Sequence, residues 1–115
     1  MTLTIWHNPR CSKSRQTLDL LQTAGHTPTV IRYLDTPPTA EHIRSALALL
    51  DLPAIKLMRA GEKRFKELGL SKTDSAETLI TAMEENPILI ERPVVLTDTK
   101  AAIGRPPEAV LDLFK

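Results

Sequence analysis

The chain holds one cysteine, Cys11, inside the stretch His7-Asn8-Pro9-Arg10-Cys11-Ser12-Lys13-Ser14-Arg15. A lone cysteine is commonly a small buried residue chosen for packing. Here every residue from His7 to Arg15 except Pro9 and Cys11 itself is polar or charged, a poor setting for a core position, so the thiol is a candidate nucleophile. Upstream, Leu3-Thr4-Ile5-Trp6 is a short β-prone run. Downstream, Thr17, Leu18, Leu21 and Ala24 recur at helical spacing. Cys11 therefore falls at a strand-to-helix turn. The first backbone N–H groups of a helix have no intrahelical partner, and the aligned peptide dipoles place partial positive charge at that end. With Arg10, Lys13 and Arg15 close in sequence and His7 just before, the thiol is expected to ionise below its usual range. The same N–H groups could cradle a tetrahedral oxyanion.

The elements that must hold this turn follow from the pattern of the chain. Ala24-Gly25-His26 reads as a helix end and Thr29-Val30-Ile31-Arg32-Tyr33 as a second strand, which gives a β-α-β opening with a parallel pair. Asp35-Thr36-Pro37-Pro38 interrupts, and Thr39 can cap a helix whose buried stripe is Ile43, Ala46, Leu47 and Leu50. From Ala54 to Leu70 the chain reads as short helical pieces broken at Gly61 and Gly69. Lys56, Lys63, Arg64 and Lys66 in that region suit a solvated face, with Arg59 set apart from them. Asp74 or Ser75 can cap the next helix, with Leu79, Ile80 and Met83 on its apolar side and its end before Asn86-Pro87. A further strand pair is expected. In it Ile88-Leu89-Ile90 leads through Glu91-Arg92-Pro93 to Val94-Val95-Leu96, followed by a turn near Asp98-Thr99 and the run Ala101-Ala102-Ile103. Pro106 and Pro107 can open a last helix, packed by Val110, Leu111 and Phe114.

Composition bounds the rest. A chain of 115 residues suits a single domain over residues 1–115, and 42% hydrophobic with 25% charged residues is ordinary for a globular protein. The formal net charge of +1 supplies no general field for nucleic acid or an anionic membrane, so neither is expected as a partner. No apolar run approaches the length of a membrane span, and the start lacks the pattern of an export signal. One cysteine cannot close an internal disulfide, and the simplest compartment is the reducing cytoplasm.

At this point the residues resemble a known group, the glutaredoxin/glutathione-linked arsenate reductase family within the thioredoxin-like fold. The resemblance rests on Ile5-Trp6-His7-Asn8-Pro9-Arg10-Cys11-Ser12-Lys13-Ser14-Arg15, on Leu57-Met58-Arg59 ahead of Glu67-Leu68-Gly69, on Asn86-Pro87-Ile88-Leu89-Ile90-Glu91-Arg92-Pro93, and on Ile103-Gly104-Arg105-Pro106. It implies an α/β, thioredoxin-like fold: the β-α-β opening, a helical middle, then a β-hairpin and a C-terminal helix around a small mixed sheet. In that fold a cis-proline faces the thiol, and Pro93 stands where it would be. The resemblance further implies that Cys11 attacks arsenate or a similar oxyanion and that Arg59, Arg92 and Arg105 hold it. His7 and Ser14 match the residues that influence the thiol's ionisation and bond its sulfur. No bound cofactor or metal is implied; glutathione is the reducing co-substrate and glutaredoxin a partner. The chain departs from the family at Arg10 and Ser12-Lys13, where smaller, neutral residues are usual.

Two other readings compete. A related branch of the superfamily regulates transcription and uses a C-x-x-C pair, but here the position three after Cys11 is Ser14. A general glutathione-linked thiol transferase would have no need of three arginines, because a disulfide substrate is not an oxyanion. Since no second cysteine exists in the chain, the thiol that resolves an adduct on Cys11 has to arrive from solution.

Overall fold

The structure, a computed structural model, describes residues 2–115. It comprises two compact units: one runs to Thr36 and resumes over Arg92–Lys115, and the other is Pro37–Glu91.

The first unit is built on strands β1 (Leu3–Trp6), β2 (Thr29–Ile31), β3 (Val94–Thr97) and β4 (Ala101–Ile103), in the order β2-β1-β3-β4. β1 pairs parallel to β2 and antiparallel to β3, and β3 pairs antiparallel to β4, so the sheet is mixed. Helix α1 (Ser12–Thr23) makes the crossover between β1 and β2, as a parallel pair requires. It ends where Gly25 adopts φ of 90°, a left-handed conformation that costs glycine little. Strand alternation decides the packing. Leu3 and Ile5 share one face with Val95 and meet Leu21 of α1, Val110 and Leu113 in a continuous core. Burying each such side chain contributes about 1.5–3 kcal/mol. Val110 and Leu113 come from the closing segment Pro107–Phe114, which the sequence predicts as a helix and which winds as 3₁₀ turns.

Two sequence expectations need correction here. β2 stops at Ile31, because Arg32-Tyr33 enters a turn in which the Asp35 and Thr36 N–H groups both donate to the Arg32 carbonyl at 2.9 Å. Ile88-Leu89-Ile90 is not a strand: Pro87–Leu89 forms a 3₁₀ turn, and Ile90 makes one isolated bridge to Met58. Three apolar residues in a row carry no period, and Pro87 fixes the turn's first φ while lacking an N–H for a ladder.

The second unit is helical: α2 (Ala40–Leu50), a 3₁₀ turn at Ala54–Leu57, α3 (Lys63–Glu67) and α4 (Ala76–Glu85). The hydroxyl of Thr39 accepts from the His42 N–H and that of Ser75 from the Thr78 N–H, both at 3.2 Å, so each caps its helix as its sequence position foretold. Lys56, Lys63, Arg64 and Lys66 are exposed, in keeping with a solvated face. Among the described residues no helix is long and apolar enough to cross a membrane.

Candidate active site

Cys11 is the N-cap of α1, with extended backbone (φ −94°, ψ 123°) and a partly exposed side chain. The loop before it is closed by Asn8. The Asn8 carbonyl accepts from the Cys11 N–H and its Oδ1 from the Arg10 N–H, each at 3.0 Å. This is the turn geometry that an Asn-Pro pair favours, and that dipeptide is the signal by which sequence reading could have singled out Asn8. Asn8 also donates its own N–H to Ser14 Oγ at 3.0 Å, and Ser14 Oγ lies 2.7 Å from His7 Nδ1. Ser14 is therefore a buried hub joining the strand end to the helix start, and its side chain bonds His7 and Asn8.

Burial alone would raise the Cys11 pKa, but the N–H of Ser14, the Arg92 guanidinium and the N–H of Lys13 together bring it below the ordinary thiol value. The helix-start amides act as the sequence argument requires. The leading charge is that of Arg92, at the entrance to β3, and not one of the near neighbours. Arg10, Lys13 and Arg15 are exposed, and Arg15 Nη1 donates to the Pro9 carbonyl at 3.0 Å. For Arg92, burial works against the charge. Its hydrogen bond to Cys11 and the charges of Tyr33 and Cys11 outweigh that, so its pKa is raised. Tyr33, fully buried, is thus a neighbour of the site that sequence reading passed over.

Arg105 reaches the thiol from the segment after β4. Its Nη2 lies 3.6 Å from Cys11 Sγ, while Nε–H donates to the Arg92 carbonyl at 2.8 Å. Gly104 makes that approach possible. A Cβ at position 104 would fall 2.5 Å from Thr17 Oγ1 and 2.8 Å from Pro93 Cγ, so only glycine lets the end of β4 lie against α1 and Pro93. The Arg92-Pro93 and Arg105-Pro106 peptide bonds are both cis, so each of these arginines precedes a cis-proline.

His7 is buried; desolvation, helped by the nearby charges of Arg32 and Arg15, lowers its pKa below the usual histidine value. It is therefore the neutral imidazole at pH 7, and the Ser14 hydroxyl can donate to Nδ1 while accepting from Asn8. Arg59 belongs to the other unit. There its Nε donates to Glu62 at 3.0 Å and its Nη1 to Glu91 at 2.9 Å. Of the six predicted site residues, Cys11, His7, Ser14, Arg92 and Arg105 lie together in the first unit. Among the described residues no group of His, Cys, Asp and Glu could hold a metal ion. What the arrangement offers is a thiol of lowered pKa with two guanidinium groups beside its sulfur, suited to attack on a small, negatively charged centre.

Comparison with known proteins points the same way. A sequence model of the ArsC family matches residues 6–113. The chain is 44% identical to the "Arsenate reductase" of Yersinia enterocolitica, covering 97% of this chain and 80% of that protein. It is 51% identical over 111 residues to the "Uncharacterized protein YfgD" of Escherichia coli K12, covering 95% and 93% of the two. The solved "Arsenate reductase from Vibrio cholerae" superposes with a TM-score of 0.93 at 46% identity, covering 97% of both chains.

Proposed function

The chain belongs to the ArsC family, and from that premise we propose that it reduces arsenate to arsenite through a covalent adduct on Cys11 that glutathione and glutaredoxin resolve. The observation that carries this reading is the pair of arginines on the sulfur: Arg105 Nη2 at 3.6 Å, and Arg92 bonded to the thiolate. Two guanidinium forks beside a lowered-pKa thiol fit a tetrahedral oxyanion better than a neutral disulfide.

In the first step the Cys11 thiolate forms a sulfur–arsenic bond and one arsenic–oxygen bond breaks, the oxygen leaving as water after taking up protons. Arg92 and Arg105 hold the remaining oxygens and offset their charge. Glutathione then attacks the Cys11 sulfur. A sulfur–sulfur bond forms, the sulfur–arsenic bond breaks, and its electron pair stays on arsenic, which leaves as arsenite. Glutaredoxin removes glutathione by thiol–disulfide exchange and restores the Cys11 thiolate. The cycle needs no bound cofactor, and its reductants belong to the cytoplasm. His7 and Ser14 act as positioning residues that fix the loop whose amides face the sulfur. For Arg59 the support is the family resemblance, in which it is the third oxyanion residue.

Arsenite release in the presence of glutathione, glutaredoxin and its recycling system tests the reading. The wild type should turn over arsenate and Cys11→Ser should lose about a thousandfold or more, the scale of removing a nucleophile. Arsenite release that survives Cys11→Ser, or none from the wild type, would overturn it.

A further inference from the structure

Beside the loop that carries Cys11 lies a cleft of about 250 Å³. Its walls include His7, Asn8 and Arg10 from the β1–α1 loop and Arg32, Leu34 and Asp35 from the turn after β2. The two segments are fastened together, since the His7 N–H donates to the Ile31 carbonyl at 2.8 Å. Within that lining Arg32 Nε stands 3.5 Å from Asp35 Oδ2, with both side chains largely exposed. An ion pair so open to water contributes little, and a ligand bearing both an ammonium and a carboxylate can take its place at small cost. The charged side chains of the lining are Arg10, Arg32 and Asp35.

Given the reading of Cys11 as a thiol resolved from solution, we infer that this cleft seats glutathione itself. The γ-glutamyl carboxylate lies on Arg32, its ammonium on Asp35 and the glycyl carboxylate on Arg10. The set of charges on the protein mirrors the set on the ligand, two cations for two carboxylates and one carboxylate for one ammonium. Size agrees. Pockets that enclose a whole small ligand run to about 300–1,000 Å³, so a slightly smaller cleft suits the charged ends of a tripeptide with the thiol left outside. Arg10 lines the cleft and directly precedes Cys11, so the cleft adjoins the loop that carries the thiol.

The test dispenses with arsenate. Reduced protein is mixed with glutathione disulfide or, separately, with the uncharged bis(2-hydroxyethyl) disulfide, and the adduct on Cys11 is followed by mass spectrometry. In each case the Cys11 thiolate forms a mixed disulfide, the reagent's S–S bond breaks and one thiolate leaves. Arg32→Ala and Asp35→Asn should each slow glutathione disulfide by roughly two- to tenfold, the effect of losing one exposed charge pairing, and leave the uncharged reagent unaffected. Asp35→Asn decides the matter by sign. If positive field alone drew the reagent, removing a negative charge would speed the reaction; if Asp35 seats the ammonium, it slows. A faster reaction, or equal slowing of both reagents, overturns the cleft assignment. If arsenate is not turned over but the charge-dependent preference holds, the proposed function falls and the cleft stands. If arsenate is turned over with no such preference, the cleft alone falls.

Discussion

Arg105 and Arg59 are both guanidinium groups that the family resemblance puts on an oxyanion, and their surroundings differ in kind. Arg105 is aimed by a backbone carbonyl, that of Arg92, with Nη2 turned to the Cys11 sulfur. Arg59, at the start of the segment between the Ala54–Leu57 turn and α3, is aimed by two carboxylates, Glu62 and Glu91. Two carboxylates direct Arg59 and offset its charge within its own unit, whereas Arg105 brings its guanidinium to the reactive sulfur itself. What an arginine's fork is seen to reach, a pair of carboxylates or the reactive sulfur, says more about its part in the molecule than its residue type does.

The largest expected effect breaks or keeps the first half of that comparison. Arg92→Lys and Arg105→Lys retain the charge but lose the planar fork, and each should cost about 1.5–3 kcal/mol of transition-state stabilisation, or roughly ten- to a hundredfold in kcat/KM for arsenate. Arg92→Gln should in addition move the thiolate absorbance midpoint of Cys11 upward, because it removes the leading charge that favours the anion. Full turnover and arsenate affinity in both lysine variants would show that these groups are not the clamp.

The second half concerns stability. Arg59 and its two partners are each about a quarter exposed, so Arg59→Ala removes two charge-assisted bonds at part-buried positions. About 1–3 kcal/mol should be lost from the urea unfolding free energy. Arg105→Ala, at an exposed position, should cost less than about 1 kcal/mol in the same experiment. Equal losses would erase the distinction drawn between the two arginines.

The smallest effect is a pH dependence. His7 has its folded-state pKa lowered, so below the unfolded value of about 6.5 the unfolded chain binds the proton more readily and the folded state loses stability as pH falls. The loss starts near that value and is complete once pH passes below the folded pKa. His7→Gln should remove this part of the acid slope between pH 7 and 5, read from urea midpoints; an unchanged slope would mean His7 is not held neutral.

Much of this was legible in the sequence because it depends on local chemistry. Thr39 and Ser75 as caps, Gly25 after α1 and Cys11 at a helix start each follow from a residue's own preferences. The β-α-β opening and the β3–β4 hairpin followed from apolar runs separated by turn residues. What stayed hidden depends on residues far apart in the chain. Arg92 as the leading charge on Cys11, Tyr33 beside Arg92, and the two carboxylates on Arg59 are made by the fold, and no spacing announces them. The neighbours Arg10, Lys13 and Arg15 looked closer because sequence distance is all a sequence offers; an exposed side chain at a helix start points to solvent as easily as to the cap. Gly104 lies between these cases. Its place in Ile103-Gly104-Arg105-Pro106 was visible, but its reason, the contact of Thr17 and Pro93 across the missing Cβ, was not.

Resolution of an adduct at Cys11 by an external thiol is read by mass spectrometry of protein quenched during arsenate turnover. One glutathione should be found, on Cys11, accumulating when glutaredoxin is withheld and disappearing faster when it is supplied. Sustained arsenite release on thioredoxin alone, with glutathione absent and no adduct at any time, would contradict it.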